Sequence, residues 1–394
     1  MKMDGNAGAH IELLLVGTET GTADINIPYL NISQAITLPL GMTKYQVPKV
    51  IIPSNLHVEK KGIEIKSSVP MTLFAINMEG ANSDGFSVIP VDKLGMEYFV
   101  PSTVGENEMT IVSPYDNNSV SVTMKMPLGD VTFNNKDYGN GDTFNVVLNK
   151  FDTLEVNAYD PYAGTKIVSS KPIALVSGDR CTGLEGVGCD HLLDMIPPTK
   201  SYSTDFIIPK LVDRKNSTVQ IIASEGNTDI NVNELSSGRQ THKNLASPGD
   251  HLDITVADLG VVSTSKKVLV TMFVHACCAP LYHEPFMMVV PGIDRYLPKY
   301  DFAVWDGGNR FQNHLTIVIP QGNEKGLMLD GSAVAPYTKE YTVTVKGVTY
   351  SVFGVLTNEG AHHMIHSKGV KFGLFVHGNT ASNGYGYAAG MRMD

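Results

Sequence analysis

Three histidines stand close together near the C-terminus, in the segment GAHHMIHSKG (360–369). Neutral imidazole is a common ligand of zinc and copper, so His362, His363 and His366 are candidate metal ligands. On a strand, His362 and His366 would share one face and His363 would lie on the other, because side chains alternate. Three ligands from one short strand converge poorly. The sequence therefore predicts no metal site and no cofactor, and the alternative is a site at these three residues.

A second polar group follows a cysteine in CDHLLD (189–194). On a strand, Asp190 and Asp194 share a face, which would suit Ca²⁺ binding or acid–base chemistry with His191 beside them. Alternatively, Asp190 and His191 hydrogen-bond the backbone of the preceding loop and hold its shape. The sequence contains no Gly-x-Ser-x-Gly elbow, no dinucleotide fingerprint and no phosphate loop.

Four cysteines occur in the chain, and two of them flank the loop before this polar group. Cys181 and Cys189 are predicted to form a disulfide, which would stabilise the fold by about 2.5 kcal/mol on the loop-entropy model. Two free, half-buried thiols are the alternative. The neighbours Cys277 and Cys278 cannot join without strain in the peptide between them, so both free thiols and a strained bond stay open. The spacing does not match a zinc site.

These residues belong to a repeating framework of short strands. The passage 164–211 reads as four strands separated by turn residues, and we expect Pro172 to open one of them, where a missing N–H costs least. The passage 62–103 repeats it with the same Ser-Ser-x-Pro start, 268–305 is a weaker copy, and 369–390 is a truncated one. No long stretch shows 3.6-residue apolar spacing, so the sequence predicts an all-β fold.

Two architectures fit the repetition. The chain alternates hairpin-rich and proline-entry halves of roughly 45 to 50 residues, which is the size of a propeller blade. We predict one repeat-built domain over 1–394, most simply a β-propeller-like closed ring. Its approximate repeats are 11–103, 104–211, 212–305 and 306–394. Tandem β-sandwiches are the alternative.

The composition restricts the partners and the location. The formal net charge of −10 disfavours nucleic acid and anionic membranes, and no apolar run is long enough for a membrane-spanning helix. The N-terminal segment MKMDGNAGAH lacks the apolar centre of a secretory signal. The chain is therefore either cytoplasmic or the mature part of a secreted protein.

The passage 164–211 resembles the N-terminal domain family of IgG-Fc-binding protein, a mucus protein. The residues that carry the resemblance are SSKPIALVSG (169–178), the Cys181–Cys189 loop, CDHLLDMIPP (189–198) and DFIIPKL (205–211), and the likeness covers about 11–390. The sequence departs from the family at Tyr202-Ser203, where Trp-Gly is usual. Relatives also have a further cysteine pair where this chain has Tyr296 and Gly308, so that disulfide should be absent.

The resemblance implies a secreted, non-catalytic module of mucus, adhesive or matrix proteins. It favours the structural role for Asp190 and His191 and no enzymatic activity. The expected partner is a glycoprotein, a glycan or a matrix component. Fc binding itself is not carried over, because no residue set here can be matched to it.

Two other functions stay open from the sequence. One is a lectin or a propeller-type glycoside-cleaving enzyme, with Trp305 beside Tyr296 and Tyr300 as an aromatic platform for sugars. The other is a structural unit that self-assembles through sheet edges.

Overall fold

The computed structural model describes residues 10–79, 82–184, 190–277, 283–307, 311–380 and 383–394. Within these ranges the chain forms β-strands and short 3₁₀ helices, and it contains no α-helix. The prediction of an all-β fold is confirmed.

The strands are grouped here into four successive units for description. Unit 1 contains β1 (His10–Gly17), β2 (Gly21–Ile27), β3 (Ile32–Leu38), β4 (Gly41–Pro48), β5 (Val58–Glu59), β6 (Glu64–Ser67), β7 (Met71–Glu79), β8 (Asn82–Ser87) and β9 (Gly95–Phe99). Unit 2 contains β10 (Asn107–Val112), β11 (Asn118–Thr123), β12 (Val131–Phe133), β13 (Lys136–Tyr138), β14 (Thr143–Leu148), β15 (Thr153–Ala158), β16 (Lys166–Thr182), β17 (Asp190–Met195) and β18 (Ser203–Ile208).

Unit 3 contains β19 (Ser217–Ala223), β20 (Thr228–Glu234), β21 (Gln240–Leu245), β22 (His251–Val256), β23 (Gly260–Val274), β24 (Phe286–Val289) and β25 (Lys299–Val304). Unit 4 contains β26 (Gln312–Pro320), β27 (Leu327–Leu329), β28 (Ser332–Ala333), β29 (Tyr341–Val345), β30 (Val348–Thr357), β31 (Gly360–His366), β32 (Gly373–Asn379) and β33 (Gly384–Ala388). The 3₁₀ helices are Pro28–Leu30, Lys49–Ile51, Val91–Lys93, Thr199–Ser201, Ile293–Arg295 and Glu324–Gly326.

Each unit contributes the same antiparallel path of four strands, called here its inner sheet. The orders are β4-β1-β7-β8, β15-β10-β16-β17, β22-β19-β23-β24 and β30-β26-β32-β33. In unit 1, Leu14 and Val16 join one apolar cluster, while Leu13 and Leu15 join another. The inner strand β1 is therefore covered on both faces, which explains its unbroken apolar run from Leu13 to Val16.

Each unit also has an outer sheet. In units 2 to 4 the orders are β14-β11-β16-β9, β21-β20-β23-β18 and β28-β27-β31-β25. The last strand in each comes from the preceding unit. In unit 1 the outer sheet has only β3-β2-β6 among the described residues. Outer strands such as β20 alternate buried Ile230 and Val232 with more exposed Asn231 and Asn233, as expected for a sheet with one solvated face.

The long strand β16 passes from the outer to the inner sheet, and Pro172 lies at this change. Its first part pairs with β11 up to Ser169, and its later part pairs with β10 from Ala174. The sequence predicted that Pro172 opens a strand. It lies instead inside β16, at a point where the hydrogen-bond ladder is interrupted. A proline is tolerated there because an irregular position needs no ladder N–H.

The final strands of the four inner sheets meet one another. Strand β8 contacts β17 and β33, and β24 contacts the same two strands. These four strands are called here the junction. The predicted β-propeller-like closed ring is not confirmed.

Candidate functional site: a buried polar junction

Asp84 lies at the centre of the junction and accepts four backbone hydrogen bonds. Its Oδ1 accepts from the N–H groups of Gly85 (2.8 Å) and Gly386 (3.2 Å). Its Oδ2 accepts from the N–H groups of Leu193 (3.0 Å) and Met287 (2.9 Å). One carboxyl group thus joins β8, β17, β24 and β33, and its side chain is fully buried.

Two acids of the CDHLLD segment act in the same way. Asp194 accepts from the N–H of Val289 through Oδ2 (2.6 Å) and from that of Met195 through Oδ1 (2.7 Å). Asp190 accepts from the N–H of Ser83 at 3.0 Å and from that of His191 at 2.7 Å. Both acids are buried. They connect β17 to β24 and to β8, so their role is to join strands of different units.

Burial controls the protonation of these acids. It raises the pKa of Asp194 to about 8, although two backbone N–H groups oppose the shift. It also raises the pKa of Asp84 and of Asp190 well above the ordinary value, and their mutual repulsion adds to the effect at Asp190. A desolvated carboxyl group resists ionisation, and the four backbone donors around Asp84 oppose this effect only in part.

His191 is buried beside these acids and stays neutral. The amide nitrogen of Asn77 lies 2.9 Å from its Nε2, so Nε2 accepts and Nδ1 carries the proton. Nδ1 lies 3.6 Å from a carboxylate oxygen of Glu108. Desolvation lowers the pKa of His191 to about 3. A histidine with this pKa is a poor general base at neutral pH.

Arg214 is a buried cation at the edge of the junction. Its guanidinium donates to the side-chain oxygen of Asn379 (2.9 Å) and to the carbonyl of Glu284 (2.7 Å), and it lies 4.7 Å from the ring centroid of Phe286. Desolvation lowers its pKa to about 9, opposed chiefly by the charge of Asp190. Planar guanidinium groups suit such buried positions, because they satisfy several acceptors and stack on a ring.

This geometry does not suit catalysis. A general acid or base must reach a substrate atom, directly or through one water. The oxygens of Asp84 and Asp194 instead contact backbone N–H groups inside the protein, and His191 is only 5% exposed. The arrangement holds four strands together by satisfying their buried N–H groups.

The three clustered histidines have separate partners. Nδ1 of His362 lies 2.6 Å from Asp330, and Nδ1 of His363 lies 2.6 Å from Asp301. Nδ1 of the buried His366 accepts from two backbone N–H groups. In the part of the chain that the structure describes, no three His, Cys, Asp or Glu residues are grouped as a metal site would need.

The predicted Cys181–Cys189 disulfide stays a prediction, because Cys189 lies outside the described residues, as does Cys278. Of the described cysteines, neither Cys181 nor Cys277 is a free thiol. The backbone N–H of Cys181 donates to Asp179 at 2.9 Å.

The aromatic platform proposed for sugars is wrong. Trp305, Tyr296 and Tyr300 are at most 3% exposed, and the indole N–H of Trp305 donates to Glu12 at 2.6 Å. These rings fill the core and offer no face on which a sugar could stack.

Comparison with known proteins identifies the family. The sequence pattern of the family described as "IgGFc binding protein" matches residues 84–378. Human IgGFc-binding protein is 26% identical to this chain over 339 residues, which is 83% of this chain and 6% of that protein. The chain belongs to the IgGFc-binding protein family. It spans about 6% of the length of this human relative.

Membership of the IgGFc-binding protein family agrees with the resemblance carried by the CDHLLD segment. The matched residues begin at Asp84, the acid that sequence reasoning missed, and they include Arg214. Neither Asp84 nor Arg214 belongs to a recognisable sequence motif. The only sequence signal for Asp84 is its position at the end of a polar loop, directly before the apolar run that ends at Pro90.

In the described residues, no helix has the length and apolar character needed to cross a membrane.

Proposed function

We propose that the chain is a non-catalytic binding module of a secreted protein and that its partner is a glycoprotein. The observation that carries this proposal is that the group of acids around His191 has a structural role. Asp84, Asp190 and Asp194 all accept backbone hydrogen bonds inside the junction. The residues that most resemble a catalytic group therefore hold strands together. The description of the family, which names Fc binding, points to a glycoprotein as partner.

The repeated units provide a rigid body for this recognition. We infer that the chain is one domain of four related repeats, and that an oxidising compartment joins Cys181 to Cys189. A mass measurement without reducing agent, followed by proteolysis, tests that bond.

The loops of unit 2 offer a contact surface. Tyr159 is 77% exposed, Leu128 69% and Val104 66%. The backbone of Gly129 lies against Asp160, which places Leu128 and Tyr159 in adjacent loops. Exposed aromatic and apolar side chains on loops are typical contributors to protein recognition.

Binding of human IgG Fc to the immobilised chain is the first test, measured by interferometry beside Fab, deglycosylated Fc and a purified mucin. We expect saturable binding of at least one glycoprotein and weaker binding by Tyr159→Ser. Val147→Thr, at another exposed apolar position, is the matched control and should bind normally. Absence of binding to every glycoprotein in this panel, or turnover of a glycan substrate, would overturn the proposal.

A further inference from the structure

The outer edge of β6 has no paired strand among the described residues. Strand β6 ends the order β3-β2-β6, whereas the equivalent edge in units 2 to 4 is covered by β9, β18 and β25. All three covering strands run antiparallel to the strand that they cover. Within the described ranges, the outer sheet of unit 1 is therefore one strand short of the pattern that the other three units share.

The positions along this edge can be matched to those of unit 2. Lys66 directly precedes Ser-Ser-x-Pro at 67–70, and Val168 directly precedes the same motif at 169–172. Lys66 pairs with the middle strand β2, as Val168 pairs with the middle strand β11. Lys66 and Ile65 of β6 therefore correspond to Val168 and Ile167 of β16.

The three covering strands share a short chemical pattern, an acidic residue followed by an aromatic one. The pairs are Glu97-Tyr98, Asp205-Phe206 and Asp301-Phe302. Each aromatic side chain is at most 2% exposed. Each acid lies opposite one position of the covered strand, at Val168, Ser263 and His363, respectively.

Polar contacts hold each of these acids. Glu97 lies 3.2 Å from the ammonium group of Lys166 on the neighbouring strand. Asp205 accepts from the hydroxyl of Ser263 at 3.1 Å, and Asp301 lies 2.6 Å from Nδ1 of His363. The acid of the covering strand thus contacts a donor or a cation of the strand it covers.

Unit 1 offers the complementary groups at the matching positions. Lys66 would face the acid, and its side chain is 66% exposed; among the described residues its ion-pair partner is Glu64 of its own strand, at 3.3 Å. Ile65 would face the aromatic residue, and it packs only partly buried against the core of unit 1. Many apolar side chains around that core are likewise only partly buried.

We propose that β6 is a docking site for an extended segment of a partner polypeptide, which adds as an antiparallel fourth strand. The segment carries an acidic residue followed by an aromatic one, so that the acid meets Lys66 and the ring covers Ile65. Backbone hydrogen bonds along the edge supply affinity, and these two side chains supply specificity. This site binds a peptide strand, and the proposal does not depend on the proposed recognition of glycoproteins.

A labelled peptide with the sequence of β25, KYDFAV, is the probe, and its binding to the full chain is measured by fluorescence anisotropy. We expect saturable binding to the wild-type chain and about tenfold weaker binding to Lys66→Glu, because like charges would face each other. The peptide KYKFAV, with the acid replaced by lysine, should show the opposite preference. A backbone N-methylated KYDFAV should bind neither chain.

Lys166→Glu is the matched control, because Lys166 lies in an outer sheet whose edge β9 already covers. Its affinity for KYDFAV should equal that of the wild type, and circular dichroism confirms that both variants fold. Absence of saturable binding, or equal affinity for wild type and Lys66→Glu, would overturn the proposal. A dimer in light scattering that Lys66→Glu converts to monomer would also overturn it, since the occupant would then be a second copy.

Discussion

Unit 1 and unit 2 share a strand order but differ in how completely their outer sheets are covered. In unit 2, β9 covers the edge of β16, and Tyr98 from β9 is fully buried. In unit 1, no described strand covers β6, and Ile65 is only partly buried. The same topology thus gives a closed core in one unit and an open one in the other. Local stability should follow this difference, because it depends on the apolar area buried in each region.

The junction belongs to all four units, so removing its central acid should have the largest effect. Asp84→Ala leaves four buried N–H groups without their acceptor. An unsatisfied buried donor costs about 1–3 kcal/mol, so we expect a loss of at least about 4 kcal/mol in the free energy of unfolding. Urea denaturation measures it.

Asp84→Asn is the control for this prediction, since the amide keeps one acceptor oxygen and the size of the side chain. Its loss should lie between those of wild type and Asp84→Ala. A loss below about 1 kcal/mol for Asp84→Ala would contradict the central role given to this carboxyl group.

The contrast between units 1 and 2 can be measured with one substitution made twice. Ile167→Ala removes a fully buried side chain opposite Tyr98 and should cost about 2–5 kcal/mol. Ile65→Ala, at the matching position, should cost about half of that or less, since part of the side chain already faces water. Equal losses would show that the core of unit 1 is as well covered as that of unit 2.

The all-β character was accessible from the sequence, because short apolar runs between turn residues identify strands. The repeated Ser-Ser-x-Pro start also indicated related segments, but the propeller-like ring predicted from them is not confirmed. The meeting of β8, β17, β24 and β33 was not accessible. It depends on contacts between residues as distant as Asp84 and Gly386, and no local pattern encodes such a pairing. For the same reason, the sequence left a sugar platform at Trp305 open as an alternative, although Glu12, far away in the chain, supplies the acceptor that allows its burial.

The pH dependence of stability should reveal Asp194. Its pKa is about 8 in the folded chain and about 3.9 when unfolded, so the folded state keeps a proton that the unfolded state releases. The free energy of unfolding should therefore fall as pH rises from about 4 to about 8. His191, with a pKa of about 3, acts oppositely, but its contribution is complete by about pH 6.5.

Melting temperatures between pH 6.5 and 9 measure this decline, to which the buried Asp84 and Asp190 contribute in the same direction. Asp194→Asn should flatten the decline, while Asp179→Asn should change it mainly below pH 7, because burial raises the pKa of Asp179 only to about 7. An unchanged slope in Asp194→Asn would mean that Asp194 is already ionised in the folded protein at neutral pH.

The smallest effect is expected where the acid of a covering strand meets a polar side chain near the surface. His363→Ala removes the contact with Asp301 in the covered sheet of unit 4 and should cost under about 1 kcal/mol, since exposed pairs contribute little. Lys66→Ala, at the edge of unit 1, should cost nothing measurable, because no strand of the described residues covers this edge with an acid. Urea denaturation of both variants tests this order. A larger loss for Lys66→Ala would show that the edge of β6 is already covered in the isolated chain.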